Sequence, residues 1–520
     1  MNPETIQRHG AVWTTAALFT LIAAIYLGFL TKNYFWDGIA FAQAIESAPQ
    51  LHPSLVHPNH LIYNLVGYIF YRALQLVGFN LRAVTALQIL NSLCSALTAV
   101  LLFRILKVTL RSIYYAITLT LLFAFSATWW KYSTDANAYI PGILFLLLSF
   151  YFALPLRKPS PVLVASIYAL SLCLHQMAII FFPVLAFAIF VQDEALPQKR
   201  RLLNCLLFSV SAGVLTLGVY VYVFYLLTGG FNPGHFCRWT LSYAPDDSFG
   251  FRPWINIGFT LRGHNRLFFG GRFNAISGLI NPFIVSLMVV WVGLFLTLVV
   301  KVVRTLRNPG WAWLSAISKD PQRRKLAILC VLWSVVYLIV LYFYVAHHTY
   351  YRLFYLPALI ILLGLMLDSY QQVAGSSRKY RLAIFVALFT ITNFLTLIFP
   401  YTHVEKYPPL AFALEMNKVW PRHTVIYYGS ANSDNNLFKY FSPGTNWKKL
   451  ELDDATGLEW ELRDAQAQGA NTWLETSAID QLSGSPTGSE WLKRHVRAES
   501  QRALITRAHN IRFVQVGPAN

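Results

Sequence analysis

Asp37 stands directly after the first apolar run, in Tyr34-Phe35-Trp36-Asp37-Gly38. A carboxylate at a membrane surface can take a proton from a hydroxyl, and the glycine after it lets the backbone bend. The plain alternative is that Asp37 caps the helical-looking stretch 38–46. His52-Pro53 and His57-Pro58-Asn59-His60 follow in the same loop. Clustered histidines suggest a metal site, but proline after histidine favours extended turns. No pair has i,i+4 spacing, so packing and hydrogen bonding are the expected roles. Further on, Trp129-Trp130 leads into Lys131-Tyr132-Ser133-Thr134-Asp135-Ala136-Asn137-Ala138-Tyr139. Two tryptophans mark a membrane boundary, and the polar run behind them sets a cation and a carboxylate at it. His175 interrupts an apolar stretch, where a lone imidazole is first of all structural. Late in the chain, His347-His348-Thr349-Tyr350-Tyr351-Arg352 places a cation among aromatics. That suits a lipid phosphate, or else Arg352 snorkels beside interfacial tyrosines.

The elements that must position these residues are membrane helices. Of 520 residues, 56% are hydrophobic and 12% are charged, against about 25% charged in soluble domains. Uncharged apolar runs such as 11–31, 202–228, 282–300 and 382–400 are each long enough to cross roughly 30 Å of hydrocarbon. The first is too long for a cleaved signal peptide and lacks a small-residue cleavage site. The net charge of +19 does not imply a nucleic-acid partner. The basic residues concentrate in short loops, which is the positive-inside bias. Four of the five cysteines lie in apolar runs, so neither a disulfide framework nor a cysteine metal site is expected.

Placing the basic clusters at 104–111, 157–158, 199–201, 301–325 and 378–381 in the cytoplasm puts the N-terminus inside and the C-terminal tail outside. About eleven spans then fit: 11–31, 83–103, 113–130, 138–155, 161–175, 176–192, 202–228, 281–300, 326–346, 353–369 and 382–400. The run 60–78 carries Arg72 at its middle, which would cost about 3 kcal/mol at the bilayer centre. It is read as a helix on the outer surface. Outer loops are then 32–82, 129–137, 229–280 and 346–352. The loop 229–280 is basic, with Arg238, Arg252, Arg262, Arg266 and Arg272 against Asp246 and Asp247. From 401 to 520 there are 13 basic and 13 acidic residues. Strand patterns at 424–428 and 513–516 alternate with helical ones at 458–468 and 490–502, as in a small soluble α/β domain. The expected fold is thus an all-α polytopic bundle over 1–400 with an extramembrane α/β domain over 401–520. No acid or base falls at mid-span in this register, which speaks against an ion-coupled transporter.

This arrangement resembles the GT-C superfamily of membrane glycosyltransferases, and within it the protein O-mannosyltransferase-like branch. Members carry an acid soon after the first span, in a D-S-G-E-like motif, followed by H-P-P-G-x-P-L-Y. The counterparts here are Asp37-Gly38 and His57-Pro58-Asn59-His60-Leu61-Ile62-Tyr63. The run from Trp129 to Tyr139 is similar to the second outer loop, and His175 to a histidine after the fifth span. The run from Tyr351-Arg352 to Pro357 resembles a late R-Y-x-x-P-like segment. The run from Gly429 to Tyr440 resembles a degenerate G-D-N-D-T segment. The chain departs where Asn59 replaces the second proline and where the nearest acid after Asp37 is Glu46. No metal-ligand set is assigned, and a divalent metal stays open.

The resemblance implies an inverting transfer from a polyprenyl-phosphate sugar donor to a hydroxyl of a glycan, lipid or protein acceptor. Asp37 would be the catalytic base. Lys131, Asp135, His57, His60, His175, Tyr351 and Arg352 would bind substrate, with Arg352 and Lys131 on the leaving phosphate. The protein would sit multi-pass among the lipids of a plasma membrane; the lack of an N-x-S/T sequon favours a bacterial one. The alternatives are a transporter or flippase of lipid-linked glycans, and a non-catalytic scaffold. An enzyme requires Asp37, Asp135, His175 and Arg352 to gather at one place, whereas a scaffold would scatter them.

Overall fold

The computed structural model describes the chain apart from residues 1–2, 155–159, 193, 243–249, 251, most of 271–311, 375–378, 421–422, 430–434, 451–454, 506–509 and 518–520. Two compact units result. One comprises residues 1–30 and 44–400, the other 31–43 and 401–520.

The first unit is helical. Its helices are α1 (Pro3–Gly28), α3 (Tyr63–Leu76), α4 (Ala83–Thr109), α5 (Ile113–Ala124), α6 (Ala127–Ser133), α7 (Tyr139–Ala153), α8 (Pro161–Leu174), α9 (Phe182–Val191), α10 (Gln198–Thr228), α11 (Pro233–Leu241), α12 (Pro253–Phe268), α13 (Ala312–Lys319), α14 (Pro321–Phe343), α15 (Leu356–Ala374) and α16 (Lys379–Asn393). Helix α2 (Trp36–Ser47) runs across the boundary between the units. Proline at the first turn and a capping side chain start several of them. Ser160 accepts from Val162 N ahead of α8, and Asp320 from Gln322 N and Arg323 N ahead of α14. Gly229, at φ 70°, ends α10.

Among the described residues, five helices are long and apolar enough to cross a membrane, or six counting a bent pair; four shorter apolar helices accompany them. The chain is an integral, multi-pass, all-α membrane bundle with a small α/β domain at its C-terminal end. Helix α10 turns Leu206, Val210, Val214 and Leu217 outward. Such a stripe is a liability in water and is at home in lipid.

Several expected spans are not plain helices. The third breaks at Phe125-Ser126, and α6 bends 66° away from α5. The sixth begins as a 3-10 turn, Gln176–Phe181, and the tenth is preceded by another, Tyr350–Tyr355. The eleventh runs into a π turn, Phe394–Ile398. The expected loop 229–280 holds α11 and α12. Most of the expected span 281–300, together with Asp246, Asp247 and Arg272, lies outside the described residues.

Helix α3 has 14 residues, about 21 Å, short of a full span. It buries Tyr63, Asn64, Gly67 and Tyr68 and exposes Ile69 and Leu76. Arg72 reaches back from it to the carbonyls of Ala48 and Pro49 at 3.2 and 3.4 Å. The basic stretch 301–325 is not wholly a solvated loop. Arg323 is buried at the start of α14, where it pairs with Asp368 of α15 and donates to Thr109 O at 3.1 Å.

The second unit is built on a five-stranded sheet of order β2-β1-β3-β5-β4. β1 (Thr424–Tyr428) runs parallel to β2 (Thr445–Lys449) and β3 (Asn471–Glu475). β5 (Asn510–Val516) is antiparallel to β3 and to β4 (Val496–Ile505). Helices α17 (Pro408–Val419), α18 (Asn435–Phe441), α19 (Ala455–Ala467), α20 (Thr476–Ser483) and α21 (Pro486–His495) complete it. Its core packs Val425, Tyr427, Leu462, Leu474, Trp491 and Val516. The expected helix over 490–502 stops at His495, and the chain turns into β4. Pairing with β5, as between Gln501 and Val514, overrides the local helical pattern.

Candidate functional site

One face of α4 carries Gln88, Asn91, Ser92 and Ser95, the i, i+3, i+4, i+7 spacing of a helical stripe. All four are buried and are spent on one turn. Gln88 Nε2 donates to Thr134 O at 2.9 Å, and Ser92 Oγ to Ser133 O at 3.0 Å. Asn91 Nδ2 donates to Asp135 O and Asn137 O at 2.7 and 2.8 Å. The turn between α6 and α7 is irregular backbone, and carbonyls shielded from water must find protein partners. The α4 stripe supplies them. Asp135 is fully buried in this turn and accepts from Ala136 N at 2.8 Å. The Lys131 ammonium lies 5.9 Å from the Tyr132 ring.

Pro58–His60 forms a 3-10 turn tied down by Tyr220 OH and Gln176 Nε2, both donating to Pro58 O at 2.8 and 3.0 Å. Ile62 N donates to Cys173 O at 3.1 Å, so the turn is seated against the end of α8. The rings then form a chain. His57 and His60 stack at 5.5 Å between centroids, and His60 meets His175 at 4.5 Å. His175 meets Tyr139 at 4.6 Å, and Tyr139 meets Tyr350 at 5.1 Å and Tyr351 at 5.8 Å. His348 and Tyr132 close on Tyr350 at 4.8 and 5.7 Å.

His175 Nδ1 accepts from Met177 N at 3.1 Å, so the ring proton sits on Nε2. Burial pushes His57 down to about 4 and His60 to about 3, and His348 to about 4. These imidazoles are neutral at physiological pH. Among the described residues, no group of three or more His, Cys, Asp or Glu side chains is disposed to hold a metal ion.

Arg352 is 1% exposed, and its guanidinium turns toward its own loop. It donates to His348 O at 2.6 Å and Ala346 O at 2.8 Å. Gly263 of α12 makes room for it, since a Cβ there would lie 2.6 Å from Nε. The loop so pinned holds Val345 at φ 44°, a conformation strained for a β-branched residue. Beside it, Tyr355 donates its hydroxyl to His264 Nε2 at 2.8 Å, while His264 Nδ1 donates to Thr260 O.

The structure therefore brings together His57, His60, His175 and Tyr351, with Lys131, Asp135 and Arg352 on the segments that carry the neighbouring rings. Asp37 belongs to the other compact unit. It lies inside the first turn of α2, one residue past its start. Burial pushes its carboxyl up to about 7.

Sequence reasoning passed over Gln88, Asn91, Ser92 and Ser95 because the run around them is apolar on average. Their helical spacing was the available signal. His264 carried none.

No family model and no curated relative matches the sequence. Solved structures do match in fold. ArnT from Cupriavidus metallidurans bound to undecaprenyl phosphate superposes with a TM-score of 0.61 at 12% identity, over 98% of this chain and 99% of that one. The same protein in the apo state gives 0.60 at 12% identity, over 98% and 100%. From the first helix to the last strand, the chain has the GT-C fold.

Proposed function

We propose that the chain is a membrane glycosyltransferase that moves a sugar from a polyprenyl-phosphate-linked donor to an acceptor hydroxyl at the outer membrane face, with inversion. The observation that carries this reading is the likeness in fold, across nearly the whole of both chains, to a protein crystallised with undecaprenyl phosphate. The gathered His and Tyr rings support it, since four chain-distant segments supply them.

In this reading the acceptor oxygen attacks the anomeric carbon. The new carbon–oxygen bond forms as the bond from that carbon to the phosphate oxygen breaks. The acceptor proton goes to Asp37, and polyprenyl phosphate leaves. A carboxyl raised to about 7 is a stronger base than an ordinary carboxylate and is still largely ionised just above neutrality. The part-exposed rings of His57, Tyr350 and Tyr351 offer faces to the sugar, with the buried rings of His60, Tyr139 and His175 packed behind them. Lys131 meets the charge developing on the leaving phosphate, with the fixed field of Arg352 behind it. Asp135 orients the sugar through the turn it shapes.

The test is incubation of the purified protein with a panel of polyprenyl-phosphate sugars and candidate acceptors, followed by mass spectrometry of lipid and acceptor products. A sugar-bearing product that disappears with Asp37→Asn is expected. Donors left intact across the panel, or equal turnover by the variant, would sink the proposal.

A further inference from the structure

The second unit contains a cleft of about 930 Å³ for which the transfer chemistry has no use. It lies across the amino ends of the three parallel strands. His423 and Thr424 mark the start of β1, Gly444 and Thr445 that of β2, and Ala470 precedes β3. Small-molecule sites typically enclose about 300–1,000 Å³.

The wall is built for hydrogen bonding, with the Asn417 and Asn446 amides, the Ser442 hydroxyl, the His423 imidazole and the Lys439 ammonium. Between them lie the Trp420 ring and small apolar patches from Val425, Pro443 and Ala470. Among the described residues, the side chains of Asn417, Asn446 and Lys439 have no partner within the protein. His423 is held at φ 72°, left-handed backbone that a non-glycine residue rarely adopts, with its carbonyl accepting from Asn471 N at 3.1 Å. Strain of this kind persists where the surroundings over-determine it, and it gathers at binding sites.

Three ligand classes compete for such a wall. A lipid chain needs an apolar lining. An extended peptide adds along a sheet edge, but here the edges are β2 and β4, and the cleft crosses strand ends instead. A saccharide presents what the wall answers: hydroxyls that donate and accept, and C–H faces that need only small apolar patches. We infer that this cleft binds a short oligosaccharide, the glycan part of the acceptor. The acceptor role rests on the transferase reading above, and the binding does not.

The experiment uses the full-length protein in detergent. Binding is measured by titration calorimetry against soluble di- to tetrasaccharides of three kinds: neutral hexoses, N-acetylhexosamines and uronate-containing chains. At least one kind binds. The double variant Asn417→Ala/Asn446→Ala, checked for an unchanged unfolding midpoint, weakens that binding by about tenfold or more. Lys439→Ala does so most for the uronate chains. No binding by any of the three kinds overturns the inference, as does equal binding by the double variant. Saccharide binding by a chain without transferase activity would remove the proposed function and leave the cleft standing. Transfer to acceptors without saccharide binding would do the reverse.

Discussion

Gly263→Ala tests how Arg352 is held. Alanine is normally worth about 1 kcal/mol over glycine inside a helix. At Gly258, in the same helix, the added methyl meets nothing within 4 Å, and the ordinary gain is expected. At Gly263 the methyl falls 2.6 and 2.7 Å from Nε and one terminal nitrogen of Arg352. The guanidinium is not a free end, because both its terminal nitrogens are bonded to loop carbonyls. Bonds to a charged group contribute about 1.5–3 kcal/mol each, and overpacking costs about 1–3 kcal/mol. Giving up one bond, with the loop yielding part of the strain, loosens the segment 344–349 by about 2 kcal/mol. Amide exchange there should quicken by roughly thirtyfold, since each 1.4 kcal/mol is a factor of ten. Hydrogen exchange read by mass spectrometry measures this without any substrate. Arg352→Ala should give the same exchange pattern, and Gly258→Ala should leave the segment alone. Unchanged exchange at 344–349 in Gly263→Ala would refute the pinning of the loop by Arg352.

Asp37→Asn should lower turnover by about 10²-fold or more with little change in donor binding. The base must be deprotonated to act, so wild-type kcat/KM should climb as pH rises through about 7 and level off above it; a flat profile would remove Asp37 from the chemistry. Asn91→Leu removes one donor each from Asp135 O, which keeps Asn137 Nδ2 at 3.2 Å, and from Asn137 O, and should destabilise by about 1–2 kcal/mol, read as a lowered unfolding midpoint. Asp368→Asn leaves buried Arg323 with only the more exposed Asp320 carboxylate, 3.7 Å away, as counter-charge and should cost about 3 kcal/mol, whereas a cost near zero would mean that water reaches the pair. Cysteine labelling should find the N-terminus cytoplasmic and the tail beyond 401 outside; protection of a cysteine in 401–520 from an impermeant reagent would reverse the register.

The membrane helices were readable because their signal is long and one-sided. Uncharged runs such as 83–103 and 202–228 leave few alternatives for a backbone that must satisfy itself. The breaks within them were not readable. Nothing at Phe125-Ser126 is a strong helix breaker, and the bend there is settled by partners far along the chain. At the site, His57, His60, His175 and Tyr351 were legible through motif spacing. The direction Arg352 faces was not, because it depends on Gly263, a glycine unremarkable in sequence. In the tail, the strand at 424–428 was visible as a β-branched and aromatic run. The strand over 496–505 was hidden in a helix-like pattern, since only its pairing with 510–516 decides it.

The bend at Phe125 has a consequence for how the chain is made. Its carbonyl accepts from Asn393 Nδ2 at 3.0 Å, and the same amide reaches Phe268 O at 2.8 Å. A ribosome delivers the bend long before it delivers residue 393. Through most of synthesis the bend therefore waits without its partner, and so does the end of α12, which carries Gly263 and His264. One asparagine near the end of the last membrane helix fastens both at once. A nascent chain released short of Asn393 therefore carries the bend and the end of α12 without the one amide that fastens them together.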